Sequence, residues 1–161
     1  MCIRDRYWRR RIRIYYIIAV IVLIIDQLWK SAIVKWMEIG QTIPLWEGVF
    51  HITSLRNKGA TFGILQGQRW FFIIVTLIVV LGIIYYLQTE GRNNRRISFA
   101  LSLLLGGALG NFFDRLIRGE VVDSLDFRLI DYPIFNLADV FIVSGVALMI
   151  LEVLLQSKKY S

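Results

Sequence analysis

The chain has 161 residues, 57% hydrophobic and only 19% charged, with a mean hydropathy of +0.58 and a formal net charge of +7. Average soluble domains carry about 25% charge, and a soluble chain this small could not bury so much apolar surface in one core, which points to a polytopic membrane protein. A single cysteine excludes a disulfide scaffold and a single histidine argues against a metal cluster. The cations flank apolar segments, where membrane topology explains them better than nucleic acid does.

The opening M-C-I-R-D-R resembles translated sequencing adapter, so residues 1–6 are read as non-native and Cys2 carries no weight. A first span covers about 14–34: it runs uncharged from Ile14 to Ile25, then meets Asp26 and Lys30. The outer segment that follows contains V-F-H-I-T-S-L and the turn R-N-K-G-A, and reads as a short β-rich piece over about 40–62 on the membrane surface. A second span, about 69–88, holds 18 residues from Trp70 to Leu87 without a charge. A third, about 97–115, has Ser98, Ser102 and Asn111 as its polar members between Ile97 and Phe113. A fourth, about 134–153, is interrupted by Asn136 and Asp139. Each approaches the roughly 20 residues that cross about 30 Å of hydrocarbon as a helix. The expected fold is therefore an all-α membrane domain of four transmembrane helices with a small extracytoplasmic β-rich segment.

Arg4, Arg6, Arg9, Arg10, Arg11 and Arg13 precede span one, Arg92, Arg95 and Arg96 separate spans two and three, and Lys158 and Lys159 follow span four. The positive-inside rule puts these parts, with both termini, in the cytoplasm. Tyr15, Tyr16, Trp36, Trp46, Trp70, Tyr85 and Tyr86 fall near the interfaces as an aromatic belt.

Ionisable residues inside a span are expensive, at about 2.5–3.5 kcal/mol even on the insertion scale. Asp26 and Lys30 are i, i+4 and can pair; Asn111, Asp114 and Arg115 share one helix face. Gly106, Gly107 and Gly110 read as close helix packing, and Gly59 with Ala60 as a turn. His51 reads as a satisfied surface or sheet residue. Asp139 stands five residues into span four, which at about 1.5 Å per residue is roughly 7–8 Å below the entry. It has no cation on its own span before Lys158, so it must find a partner on another segment or stay protonated. Two nearby carboxylates cannot both ionise easily, so one keeps a proton while the other activates water. Asp114, Asp123 and Asp126 are the possible partners, and spacing does not choose among them.

Five motifs, in order, then carry a resemblance: D-Q-L-W-K (Asp26 to Lys30), N-K-G-A-T-F (Asn57 to Phe62), G-G-A-L-G-N-F-F-D-R (Gly106 to Arg115), V-V-D-S-L-D-F (Val121 to Phe127) and F-N-L-A-D (Phe135 to Asp139). Together they resemble the lipoprotein signal peptidases, or signal peptidase II family. The resemblance implies an aspartic endopeptidase of the bacterial cytoplasmic membrane, active near its outer face, that cleaves prolipoproteins before a diacylglyceryl-modified cysteine. It implies Asp123 and Asp139 as the dyad, Asn111, Arg115 and Asn136 in substrate positioning and polar support, and supporting roles for Asp26, Lys30, Asn57, Gly59, Gly107 and Asp114. The family commonly has an aromatic after the first dyad Asp, where this chain has Ser124. No cofactor or metal is expected; the expected partners are prolipoproteins and membrane lipids, with the chain acting as a monomer.

The chemistry agrees, since amide hydrolysis needs a base for water and an acid for the leaving nitrogen, and Ser31 beside Lys30 has poor geometry for a Ser-Lys pair. The rival class is a small proton-coupled transporter or channel subunit, with Asp26, Asp114 and Asp139 as a relay. Against it, the acids gather at the outer edge and Glu152 alone marks the inner half of span four. A purely structural subunit leaves Asp139 unexplained.

Overall fold

The structure, a computed structural model, describes residues 3–59, 65–89, 91, 94–130 and 132–160, with side chains from 12 to 157. Cys2, the Ala60-Thr61-Phe62 end of N-K-G-A-T-F and Arg92 lie outside the described residues, as do the side chains of Arg4 to Arg11 and of Lys158 and Lys159. The elements are α1 (Ile3–Trp36), β1 (Thr42–Trp46), β2 (Phe50–Asn57), α2 (Arg69–Thr89), α3 (Arg95–Ile117), β3 (Val121–Phe127) and α4 (Leu137–Tyr160). Among the described residues, four stretches are long and apolar enough to cross a membrane: Ile12–Trp36, Arg69–Thr89, Arg95–Ile117 and Leu137–Ser157.

α3 is the inner helix, packed against α1, α2 and α4. Its small residues permit this. A Cβ on Gly106 would lie 2.6 Å from the Ala19 carbonyl of α1, and one on Gly107 would lie 2.5 Å from the Ala138 carbonyl of α4. Such backbone-to-backbone approach is how membrane helices gain van der Waals contact without a hydrophobic drive between them. The polar members of α3 are satisfied locally: Ser98 Oγ donates to Gly91 O (2.8 Å) and Ser102 Oγ to Ser98 O (2.7 Å). Asn94 caps the helix by accepting from the Arg96 and Ile97 N–H groups. Its amide and Arg96 also engage Glu152, which accounts for the acid in the C-terminal half of α4. Tyr15 is buried against Leu101 and Leu105 in the helical core, so it does not belong to the aromatic belt.

The three strands form one antiparallel sheet in the order β1-β2-β3. β1 and β2 come from the expected β-rich segment. The third strand comes from the stretch between the third and fourth spans, where the sequence predicts no strand. β2 pairs with β3 through Leu55↔Asp123 and Asn57↔Val121, with an irregularity between Ile52 and Leu55. The sheet packs on the end of α1 through Ile33, Met37, Ile52, Val122 and Leu125. Gly119, at φ +80°, turns the chain from α3 into β3.

The start of α4 differs from expectation. Ile134 and Phe135 continue the apolar run, yet the helix begins at Leu137. The reason is that Phe135 is taken by the sheet: its N–H donates to Leu125 O (3.0 Å), and its carbonyl accepts from the Ser124 and Leu125 N–H groups. Asp139 therefore stands in the first turn of α4, and the expected depth of five helical residues is wrong.

Two glycines test the packing. Gly107→Ala should lower thermal stability in detergent by about 1–3 kcal/mol, because the first turn of α4 must move aside. Gly82→Ala meets nothing within 4 Å and should raise it by about 0.5–1 kcal/mol through helix propensity. Thermal unfolding of the two variants beside the parent checks both signs.

Candidate active site

The end of β2, the start of α2, the end of α3, strand β3 and the first turn of α4 meet at the sheet end of the bundle. They line a cavity of about 160 Å³. Asp123 from β3 and Asp139 from α4 both line it, with Asn57, Gly59, Phe72, Asn111, Arg115, Val121 and Asn136. Of the possible partners for Asp139, Asp123 is the carboxylate on this cavity. Asp114 and Asp126 are engaged elsewhere.

One residue joins the two carboxylates, through its side chain on one and its backbone on the other. Asn136 donates its amide to Asp123 Oδ1 (2.7 Å), and its Oδ1 accepts from the Asp139 N–H (3.0 Å). Its own N–H donates to Asp139 Oδ2 (3.3 Å). Asn136 is thus the N-cap of α4 and Asp139 closes the reciprocal half of a capping box, here with Asn and Asp in place of the commoner Ser and Glu. Asn57 donates to Asp123 Oδ2 (3.0 Å) from the end of β2, and Asn111 donates to Asp139 Oδ1 (2.7 Å) from α3. Each carboxylate accordingly receives a neutral amide from two directions. Burial pushes the Asp123 carboxyl up to about 6, against the lowering effect of the Asn136 and Asn57 hydrogen bonds, and the neighbouring Asp139 charge adds to the rise.

Behind Asn111 lies a fully buried ion cluster. Lys30 Nζ is 2.9 Å from Asp26 Oδ2 and 2.9 Å from Asp114 Oδ2, with all three side chains at 0% exposure. The same ammonium donates to Asn111 Oδ1 (3.0 Å), which turns the amide so that its NH₂ faces Asp139. Asp26 Oδ1 accepts from the Ala138 N–H of α4 (2.9 Å), and Asp114 Oδ2 from the Val122 N–H of β3 (3.3 Å). Gly110 is a close neighbour of the Asp26 carboxylate, and a Cβ there would collide with it.

Arg115 lies over the Phe72 ring, 4.7 Å from its centroid, and donates to the carbonyls of Gly59 (3.2 Å) and Asn111 (3.4 Å). Its charge acts on Asp139 and Asp123. Asp126 accepts from Thr53 (2.7 Å) and Arg128 (2.9 Å). Burial raises its carboxyl, but those two hydrogen bonds outweigh it and hold the group below the usual range. His51 is buried in β2 and accepts from the Gly48 N–H; its Nδ1 has no partner, so the expectation of a satisfied histidine holds for one ring nitrogen only.

Sequence reasoning missed four contributors. Gln27 donates to Asp26, Asp114 and the Gly110 carbonyl. Arg118 pairs with Asp114, an i, i+4 spacing that was readable. Arg69 donates to the Arg115 and Leu116 carbonyls and so closes the end of α3. Trp29 donates from Nε1 to Ser124 Oγ (2.8 Å). Among the described residues, no three side chains of metal-ligand type are grouped so as to hold a metal ion.

Comparison with known proteins adds the family. The family model described as signal peptidase (SPase) II matches residues 18–155. The chain is 54% identical over 145 residues to a lipoprotein signal peptidase of Brevibacillus brevis, covering 90% of this chain and 97% of that one. It is 49% identical over 148 residues to that of Bacillus subtilis, covering 91% and 96%. Among solved structures it is similar to two bacterial membrane enzymes. One has a TM-score of 0.87 at 40% identity, covering 91% of each chain. The other has a TM-score of 0.81 at 42% identity, covering 87% of this chain and 92% of that one. The transporter reading finds no support in these relatives. A four-helix membrane bundle carrying five signature motifs, matched along most of its length, belongs to the signal peptidase II family.

Proposed function

We propose that this peptidase removes signal peptides from bacterial prolipoproteins by cleaving before the diacylglyceryl-modified cysteine, and that Asp123 and Asp139 do the chemistry. The observation that carries the reading is the shared cavity, where one asparagine holds both carboxylates. Asp123, whose buried carboxyl is pushed up to about 6, is the member of the pair assigned the shared proton. Asp139 takes a proton from water as its oxygen attacks the scissile carbonyl carbon. The proton on Asp123 then passes to the leaving nitrogen as the C–N bond breaks. Arg115 and the amides of Asn57 and Asn111 are available to fix the substrate backbone at the rim.

The chain works as a single membrane-embedded domain and as a monomer, with its termini in the cytoplasm and the cavity near the outer face. Asp139 in the first turn of α4 sets the scissile bond at the membrane surface rather than a turn inside it. A cysteine carrying diacylglycerol is anchored by the bilayer, at about 0.8 kcal/mol for each buried methylene, which presents the adjoining peptide bond at that level.

The test is incubation of the purified protein with a diacylglyceryl-modified prolipoprotein and mass measurement of the products. The parent should release the signal peptide. Asp123→Asn and Asp139→Asn should each lose at least about a thousandfold in turnover while still accumulating in the membrane, as loss of an acid–base group implies. Asp126→Asn should be far milder. Near-parental turnover by either folded dyad variant would refute the assignment.

A pH-linked signature should accompany this. A carboxyl held at about 6 against an ordinary 3.8 binds its proton more tightly in the folded state. Its stabilising contribution is complete below about pH 4 and lost as pH rises through about 6. Asn at position 123 does not titrate. The thermal stability of Asp123→Asn relative to the parent should therefore improve between pH 4 and 7 or so; a difference independent of pH would contradict the shifted carboxyl.

A further inference from the structure

Strand β3 presents two faces. Val121 and Asp123 line the cavity, while Val122 packs on Ile33 of α1 and Ser124 meets Trp29. This is the period-two alternation of a strand. The Ser124 side chain is fully buried, and a buried hydroxyl needs a partner; the Trp29 indole N–H, 2.8 Å away, supplies one. The ring itself packs beside Ile33, Ile52, Val122 and Leu125. The Ser124 backbone is held as well, since its N–H donates to the Phe135 carbonyl (2.9 Å), next to Asn136.

Trp29 and Lys30 are consecutive. Lys30 reaches Asp139 through Asn111, by contacts of 3.0 and 2.7 Å. Trp29 reaches the neighbour of Asp123 through Ser124. A single turn of α1 therefore references both carboxylates, one along each route. We infer that Trp29 and Ser124 form a positioning pair that sets the height of Asp123 against Asp139. The inference rests on the proposed role of those two aspartates and adds to it a specific pair of residues outside the cavity. The pair touches no reacting atom, and its effect passes through the backbone of β3. A strand free to shift by a fraction of an ångström would leave the fold intact and spoil the distance over which a proton must be shared.

The experiment is a double-mutant cycle on purified protein with Trp29→Phe, Ser124→Ala and the two combined. Steady-state cleavage of the diacylglyceryl-modified prolipoprotein and thermal unfolding are measured on each. Trp29→Phe keeps an aromatic ring in the cluster and removes the donor together with part of the ring volume, whose packing cost the thermal unfolding reads separately, so it reports on the hydrogen bond even if Ser124→Ala folds poorly. Each single variant should lower kcat about tenfold with KM within about twofold of the parent, because geometry at the reacting centre changes and substrate anchoring does not. The combined variant should be no slower than the slower single, since one bond is lost in all three. Parental kcat in folded Trp29→Phe, losses that multiply in the combined variant, or a fall in melting temperature with kcat preserved would each overturn the inference. An active parent with these results leaves the aspartate reading in place; an inactive parent, or full turnover by Asp123→Asn, removes that reading and this inference with it.

Discussion

The ammonium of Lys30 is buried completely between two buried carboxylates, and the sheet end of the molecule is organised by that arrangement. An ion cluster in such a place is costly to desolvate and is seldom a net source of stability. Its value here is directional. Asp26 accepts the Ala138 N–H at the start of α4, Asp114 accepts the Val122 N–H of β3, and Lys30 orients the Asn111 amide. Three charged residues on two helices thereby fix a strand, a helix terminus and an amide that touches Asp139. Losing one partner would leave an uncompensated charge in the membrane-embedded core, at about 3–5 kcal/mol.

The small residues of α3 and the polar cluster serve each other. Gly106 and Gly107 bring the backbones of α1 and α4 against α3, and Gly110 leaves room for the Asp26 carboxylate. Without that approach Lys30 could not reach Asp114, nor Asn111 reach Asp139. The stripe is thus more than helix packing. It sets the distance across which the buried hydrogen bonds close, so packing and chemistry share one set of residues.

The helical part was legible because charge-free runs of this length have few alternatives to a membrane span. The third strand was not, because V-V-D-S-L-D-F carries acids at positions that resemble a polar loop, and its pairing partner β2 is distant in sequence. The start of α4 was misplaced because Ile134 and Phe135 are apolar, while the feature that stops the helix is a backbone bond to Leu125. Asp26, Lys30 and Asp114 were readable as expensive charges needing partners, and Asn136 and Asp139 as neighbours on one turn. The choice of Asp123 over Asp126 needed the motif, since alternation along one strand cannot say which face meets a cavity. Trp29 was invisible as a polar participant: an aromatic near a span end usually lies in the interface, and nothing local connects it to Ser124.

In the proposed function the buried charges position the carboxylate pair rather than merely hold the helices together. Combining Asp26→Asn, Lys30→Met and Asp114→Asn removes the three fully buried charges at once and leaves the part-exposed Arg118 to solvent, a kind of replacement that buried ion clusters often tolerate without loss of stability. Turnover of diacylglyceryl-modified prolipoprotein by the folded triple variant measures the claim most directly. The account predicts a retained fold with kcat down on the order of a hundredfold, because the Asn111 amide is no longer locked toward Asp139. Parental turnover from the folded variant would contradict it.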